Sequence, residues 1–176
     1  MTLPIILCAG QSNMARMVPT LRELYPGYEF LSAAAGATSI SQWQRDASPY
    51  QNLVTLTQQA LADGRNVTAL MFSQGEADTG VLEQAQAWKV NLQAFYAAFQ
   101  ADTGLTGLPM IYAQLGADYG RPFWDTVKRL QAEMQVHKTK WMLTLDDLDY
   151  ADPPHYADYR TAAIRFMAVY KKAMGI

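Results

Sequence analysis

Three short segments of this chain hold residue types that could do hydrolytic chemistry. The first is Gly10-Gln11-Ser12-Asn13-Met14. A serine just past a strand end, behind a glycine, can be held at a sharp turn with its hydroxyl exposed. The same turn aims nearby backbone N–H groups into the crevice, where they can receive charge that develops on a substrate oxygen. Ser12 or Asn13 could equally cap the helix that follows. The run is not the G-x-S-x-G elbow, because Met14 stands where the second glycine belongs.

A serine nucleophile needs a base. The chain has two histidines. His137 lies near the end of a predicted helix, where a cation suits the helix dipole, and reads as a solvated surface residue. His155 lies in Asp152-Pro153-Pro154-His155. The prolines stiffen that segment, and the three-residue spacing lets Asp152 reach Nδ1 of His155 while Nε2 stays free for Ser12. A turn aspartate followed by a helix-start histidine would give the same letters. The two histidines lack H-E-x-x-H spacing, which argues against a zinc site.

The third segment is Gln74-Gly75-Glu76-Ala77-Asp78. The Gln74 amide could donate to a developing oxyanion, and Gly75 allows close backbone approach. Glu76 could orient a neighbour or a substrate, or simply be solvated; Asp78 or Thr79 could cap a helix. Upstream, Ala35-Gly36-Ala37-Thr38-Ser39-Ile40 and Trp43 offer the Gly36 N–H as another donor, unless Gly36 is only a flexible loop residue. Cys8 is a weaker rival nucleophile, because a cysteine inside an apolar strand is normally inert.

The elements that must position these groups alternate along the chain. Leu3 to Cys8, Tyr28 to Leu31, Val67 to Ser73, Met110 to Leu115 and Trp141 to Leu145 read as strands. Helical spacing appears at Leu53, Leu56 and Ala60, over about 82–101, at Phe123, Val127, Leu130 and Met134, and from Tyr159 to Met174. Five strands separated by helices imply an α/β fold with a parallel sheet covered on both faces. Two connections, about 10–27 and 32–51, show little regular pattern and read as functional loops. Sites in such sheets lie at the carboxyl ends of the strands, which directs attention to the segments after strands one, three and five.

A length of 176 residues suits one domain spanning 1–176. The net charge of −2 comes without any Lys/Arg-rich run, so no nucleic-acid or anionic-membrane footprint is expected. No stretch approaches the ~20 apolar residues of a membrane span. The first residues have no basic n-region and do not read as a secretory leader. The compartment stays open: a cytoplasmic protein and part of a phage or secreted assembly both fit. The single cysteine cannot form an intrachain disulfide.

Taken together, the segments resemble the SGNH hydrolases, in the sialate O-acetylesterase-like branch that includes carbohydrate acetyl esterases. Gly10 to Met14 is similar to the nucleophile block and Gly36 to Ile40, with Trp43 and Tyr50 downstream, to the second block. Gln74 to Asp78 resembles the third block and Asp152 to His155 the last. Trp124 to Lys128 and Gln131 resemble the helix before strand five. The resemblance implies a three-layer α/β/α flavodoxin-like sandwich with a five-stranded parallel sheet. It implies Ser12 as nucleophile, His155 as base and Asp152 as its orienting carboxylate. The N–H groups of Ser12 and Gly36 and the Gln74 side chain would form the oxyanion hole, with Gln11, Asn13, Trp43 and Glu76 as supporting or substrate-binding residues. No metal or organic cofactor is implied.

Three positions depart from the pattern. Arg16 follows Ala15 where glycine is usual, Ala37 replaces one of paired glycines, and Lys128 stands where arginine is common. The implied reaction is hydrolysis of a short O-acyl ester, an O-acetyl group on a sugar above all. Trp43, Tyr119 and Trp124 could form an aromatic sugar platform or belong to the core. The partner expected is a small-molecule or glycan ester; the sequence leaves the oligomeric state open. A glycan-binding module on an inactive esterase scaffold and a lipid or thioester hydrolase are the alternatives.

Overall fold

A computed structural model describes residues 2–134 and 140–176; His137 lies outside the described residues. Five strands form one parallel sheet: β1 (Ile5–Gly10), β2 (Glu29–Ser32), β3 (Val67–Ser73), β4 (Met110–Ala113) and β5 (Lys140–Leu143). Their order is β2-β1-β3-β4-β5. The chain winds outward from β1 to β2, then returns to the other side of β1 with β3, so the sheet reverses direction between β1 and β3. Ligand crevices form outside the carboxyl ends of strands at such a switch point.

The strands are buried on both faces, as a sandwiched parallel sheet requires. Side chains alternate along β1: Ile5, Leu7 and Ala9 face one apolar cluster, Ile6 and Cys8 the other. The first cluster is closed by α2 (Ser48–Ala62), α3 (Leu82–Thr103) and α4 (Trp124–Met134). The second is closed by α1 (Ser12–Leu24) and α5 (Tyr159–Met174). Layers of helix, sheet and helix result, so the α/β/α architecture expected from the alternating pattern is the one observed.

Three differences from the sequence reading concern the site. The segment 10–27 is not a loop: thirteen residues of it form α1, with Met14, Met17, Val18 and Leu21 buried against the sheet. Pro19 sits inside that helix; a proline there removes a backbone donor and normally signals a helix end, which masked the pattern. In 32–51, a 3₁₀ helix (Ile40–Trp43) and the start of α2 break up what read as one long connection. Near the C-terminus, two further short strands, β6 (Tyr150–Asp152) and β7 (His155–Tyr156), pair antiparallel as a separate ladder. Among the described residues no helix is long and apolar enough to cross a membrane.

Candidate active site

The site begins where β1 runs into α1. Gly10 has φ +111°, and a Cβ added to it would lie 2.0 Å from the Ser73 carbonyl oxygen. Only glycine fits both the conformation and the contact. This closeness lets the Gln11 N–H donate to Ser73 O at 2.8 Å, locking the ends of β1 and β3 side by side. Ser12 is then the first residue of α1, and the cap position before it is Gln11, which makes no side-chain cap bond. The Ser12 hydroxyl is therefore not spent on capping.

Asp152 and His155 are register partners across the β6–β7 ladder, with Pro153-Pro154, joined by a cis peptide, as the turn between them. The three-residue spacing thus places the two side chains next to each other across a tight turn, and His155 does not start a helix. His155 Nδ1 lies 3.0 Å from Asp152 Oδ2, and His155 Nε2 lies 3.0 Å from Ser12 Oγ. A carboxylate only accepts, so Nδ1 of a neutral imidazole carries the hydrogen, and Nε2 accepts from the serine hydroxyl. The Asp152 side chain is 67% exposed and His155 is 17% exposed.

Beside Ser12 runs the loop after β2. A Cβ on Gly36 would lie 3.9 Å from the Ser12 Cβ, so the two residues are neighbours. Ala37 holds a left-handed φ of 58°, a geometry that favours the glycine it replaces in the resembling motif. Among the described residues the N–H groups of Gly36 and Ala37 have no backbone partner, whereas Ala35 N donates to Gly10 O at 2.9 Å. The loop is pinned farther on by the Asp78 carboxylate, both of whose oxygens accept from Ile40 N–H at 3.1 Å. Burial pushes the Asp78 carboxyl up to about 6, against the opposing hydrogen bonds from Gln74 and Ile40.

Gln74 is where the structure corrects the sequence reading. Gln74 is 2% exposed. Nε2 donates to Thr38 O at 3.1 Å and to the Asp78 carboxylate, while Oε1 accepts from Trp88 Nε1 at 2.8 Å. The amide is fully engaged in holding the loop from behind and does not line the pocket. Gln11 is the glutamine among the lining residues, and its Oε1 accepts from Ala77 N–H at 3.4 Å. The aromatic platform is corrected as well. Trp43 and Trp124 are 0% and 2% exposed and belong to the core, with Trp43 Nε1 donating to Thr38 Oγ1 at 3.0 Å. Only Tyr119 of the three reaches the pocket wall.

Asn13 and Glu76 lie underneath. Asn13 Nδ2 donates to Glu76 Oε1 at 2.7 Å and to Pro154 O at 2.9 Å, and its Oδ1 accepts from Tyr159 OH at 2.8 Å. One buried amide thus joins the start of α1 to the histidine turn and to α5. Glu76 is 5% exposed, and its Oε2 has no hydrogen-bond partner. Burial pushes its carboxyl above the usual range, opposed by its backbone and Asn13 hydrogen bonds.

The pocket above these groups encloses about 500 Å³ and is lined by Ser12, Gly36, Ala37, Glu76, Tyr119 and His155, among others. Arg16 and Arg121 also line it. Arg121 and Tyr159 were not singled out from sequence. Arg121 follows the carboxyl end of β4, so the strand-end rule, applied to every strand, would have found it. Among the described residues no group of three His, Cys, Asp or Glu side chains is placed to hold a metal ion.

Comparison with known proteins adds a family. Residues 29–173 match the model of a family described as carbohydrate esterase, sialic acid-specific acetylesterase. A probable carbohydrate esterase of Arabidopsis thaliana is 25% identical over 103 residues, which is 58% of this chain. The match spans 39% of that relative's length. Among solved structures, an Arabidopsis thaliana protein superposes with TM-score 0.83 at 14% identity, covering 99% of both chains. A carbohydrate acetylesterase from Xanthomonas citri gives 0.78 at 14% identity, covering 98% of this chain and 57% of that one. NanS gives 0.76 at 11% identity, covering 99% and 98%. At these identities the structural likeness shows a shared fold.

Proposed function

The chain belongs to the sialic acid-specific acetylesterase family of carbohydrate esterases, and we propose that it removes O-acetyl groups from a carbohydrate by a serine acyl-transfer mechanism. The observation that carries this reading is the unbroken relay from Ser12 Oγ to His155 Nε2 and from His155 Nδ1 to Asp152, each step 3.0 Å.

In this mechanism Ser12 Oγ attacks the acetyl carbonyl carbon and His155 Nε2 takes the hydroxyl proton. Asp152 holds the imidazole in the tautomer that can accept it and stabilises the imidazolium that forms. The carbonyl oxygen gains negative charge, which backbone N–H groups of Ser12, Gly36 and Ala37 stabilise from fixed positions. The intermediate collapses as the C–O bond to the sugar breaks, and Nε2 returns the proton to the leaving sugar oxygen. Water then attacks the acetyl-enzyme with His155 again as base. Acetate leaves and Ser12 recovers its proton.

The test is acetate release from acetylated monosaccharides and from 4-nitrophenyl acetate, for the native protein and Ser12→Ala. Turnover by the native protein and its loss in a folded Ser12→Ala variant is the expected outcome. A native protein that binds acetylated sugar without releasing acetate would favour a binding module instead. Faster turnover of octanoyl than acetyl esters would favour a lipid or thioester hydrolase.

A further inference from the structure

We propose that Arg16 is a positioning residue for the triad: its charge holds the exposed Asp152 carboxylate in place for His155. The inference rests on the esterase reading and deepens it, because the place of Asp152 matters to turnover only if His155 is the base.

Asp152 is the loosest member of the relay. Its side chain is 67% exposed. The carboxylate accepts one hydrogen bond, from His155 Nδ1 at 3.0 Å, and among the described residues its one other ion-pair partner is Arg16. A carboxylate so open to water keeps its rotamer freedom. Each departure from Nδ1 leaves the imidazole without the partner that fixes its tautomer. Arg16 Nη2 stands 3.6 Å from Asp152 Oδ2, the same oxygen that faces Nδ1.

Helix geometry explains the reach. Arg16 follows Ser12 by four residues and Asn13 by three in α1, so the three side chains share one face of the helix. That face meets the β6–β7 turn twice. Asn13 Nδ2 donates to Pro154 O at 2.9 Å, and Arg16 pairs with Asp152 at the same turn. The Tyr159 hydroxyl, which donates to Asn13 Oδ1, also feels the Arg16 charge, which opposes the upward push of burial on it. The distance from Arg16 to Asp152 exceeds a hydrogen bond, so the hold is coulombic: a positive charge at this place suffices, and salt weakens it. The resembling motif has glycine here, which offers no side chain for the purpose. The arginine is therefore this chain's own addition to the turn that carries Asp152 and His155.

The experiment reads kcat and KM for 4-nitrophenyl acetate, a neutral ester, in the native protein and in Arg16→Lys, Arg16→Gln and Arg16→Glu. Each replacement keeps a good helix former in α1, which glycine would not. At low salt kcat should follow the charge. Arg16→Lys should stay within about twofold of native and Arg16→Gln should fall about fivefold, the upper end for an exposed ion pair. Arg16→Glu, which repels Asp152, should fall further. KM and melting temperature should stay near their native values throughout. Rising salt should draw native protein and Arg16→Gln together. The same exchanges in an Asp152→Asn background, followed through its residual turnover, should leave kcat unchanged. A native kcat in folded Arg16→Gln, a change confined to KM, or a charge order that survives in Asp152→Asn would overturn the inference while leaving the esterase reading intact. No hydrolysis by the native protein would overturn both.

Discussion

At the scale of single residues, Gln74 shows how an amide at the carboxyl end of a strand can turn away from the pocket that holds the proposed nucleophile, Ser12. Sequence position puts Gln74 at the carboxyl end of β3, where a donor to the oxyanion is wanted. The 3₁₀ helix that follows, Glu76–Gly80, brings Asp78 back under the amide, and Thr38, Asp78 and Trp88 use its hydrogen-bonding capacity. An oxyanion donor lost to mutation typically costs about 10²–10³ in kcat. Gln74→Ala should instead cost stability, about 1–3 kcal/mol for buried partners left unsatisfied. Its kcat per folded molecule should stay within a few-fold. Melting temperature and kcat measured together check this, and a hundredfold loss of kcat in stable protein would return Gln74 to the oxyanion hole.

At the scale of elements, the site depends on two ties between segments far apart in sequence. Asn13 ties α1 to the β6–β7 turn through Pro154 and to α5 through Tyr159. Displacing catalytic groups by about 1 Å can cost on the order of 10²-fold, so Asn13→Ala should lower kcat strongly with a smaller change in KM. Tyr159→Phe removes one donor and should have a milder effect, about 1 kcal/mol in stability. Equal kcat for both variants and the native protein would show that the turn holds His155 unaided.

The second tie is Asp78, which anchors the Gly36 loop through Ile40. Its pKa is raised on folding, from 3.8 to about 6, so the fold favours the protonated form. Its contribution to stability is fully present below about pH 4 and is lost as pH rises through about 6, by at most about 3 kcal/mol. Asp78→Asn has no such proton. Native stability should therefore decline relative to the variant between those pH values, as read from denaturant unfolding. Parallel stability curves would contradict the assignment.

At the scale of the whole molecule, the sheet was legible because buried strands and amphipathic helices carry different periods. Val67–Ser73 begins and ends where its apolar run does, and the stripe Ala85, Trp88, Leu92, Phe95, Tyr96 and Phe99 is the buried face of α3. The helix α1 was obscured by Pro19, and β6 and β7 are too short to show an alternating pattern. Ser12, Asp152 and His155 stood out because chemistry restricts their types and the family motif their spacing. The direction of the Gln74 amide depends on contacts between distant segments, which spacing along one chain does not encode. The sheet's switch point gathers the ends of β1 and β3, and the β6–β7 turn brings His155 to them.

Whether that assembly works as a nucleophilic site can be read on one atom. Native protein mixed with an excess of acetyl ester, quenched in acid within the first turnovers and mapped by peptide mass spectrometry should carry one acetyl group on Ser12. The label should build up further in His155→Ala only if an external base restores acylation, and should be missing from Ser12→Ala. Acetate release by the native protein with no acetyl on Ser12, together with undiminished turnover in folded Ser12→Ala, would contradict a serine acyl-enzyme here.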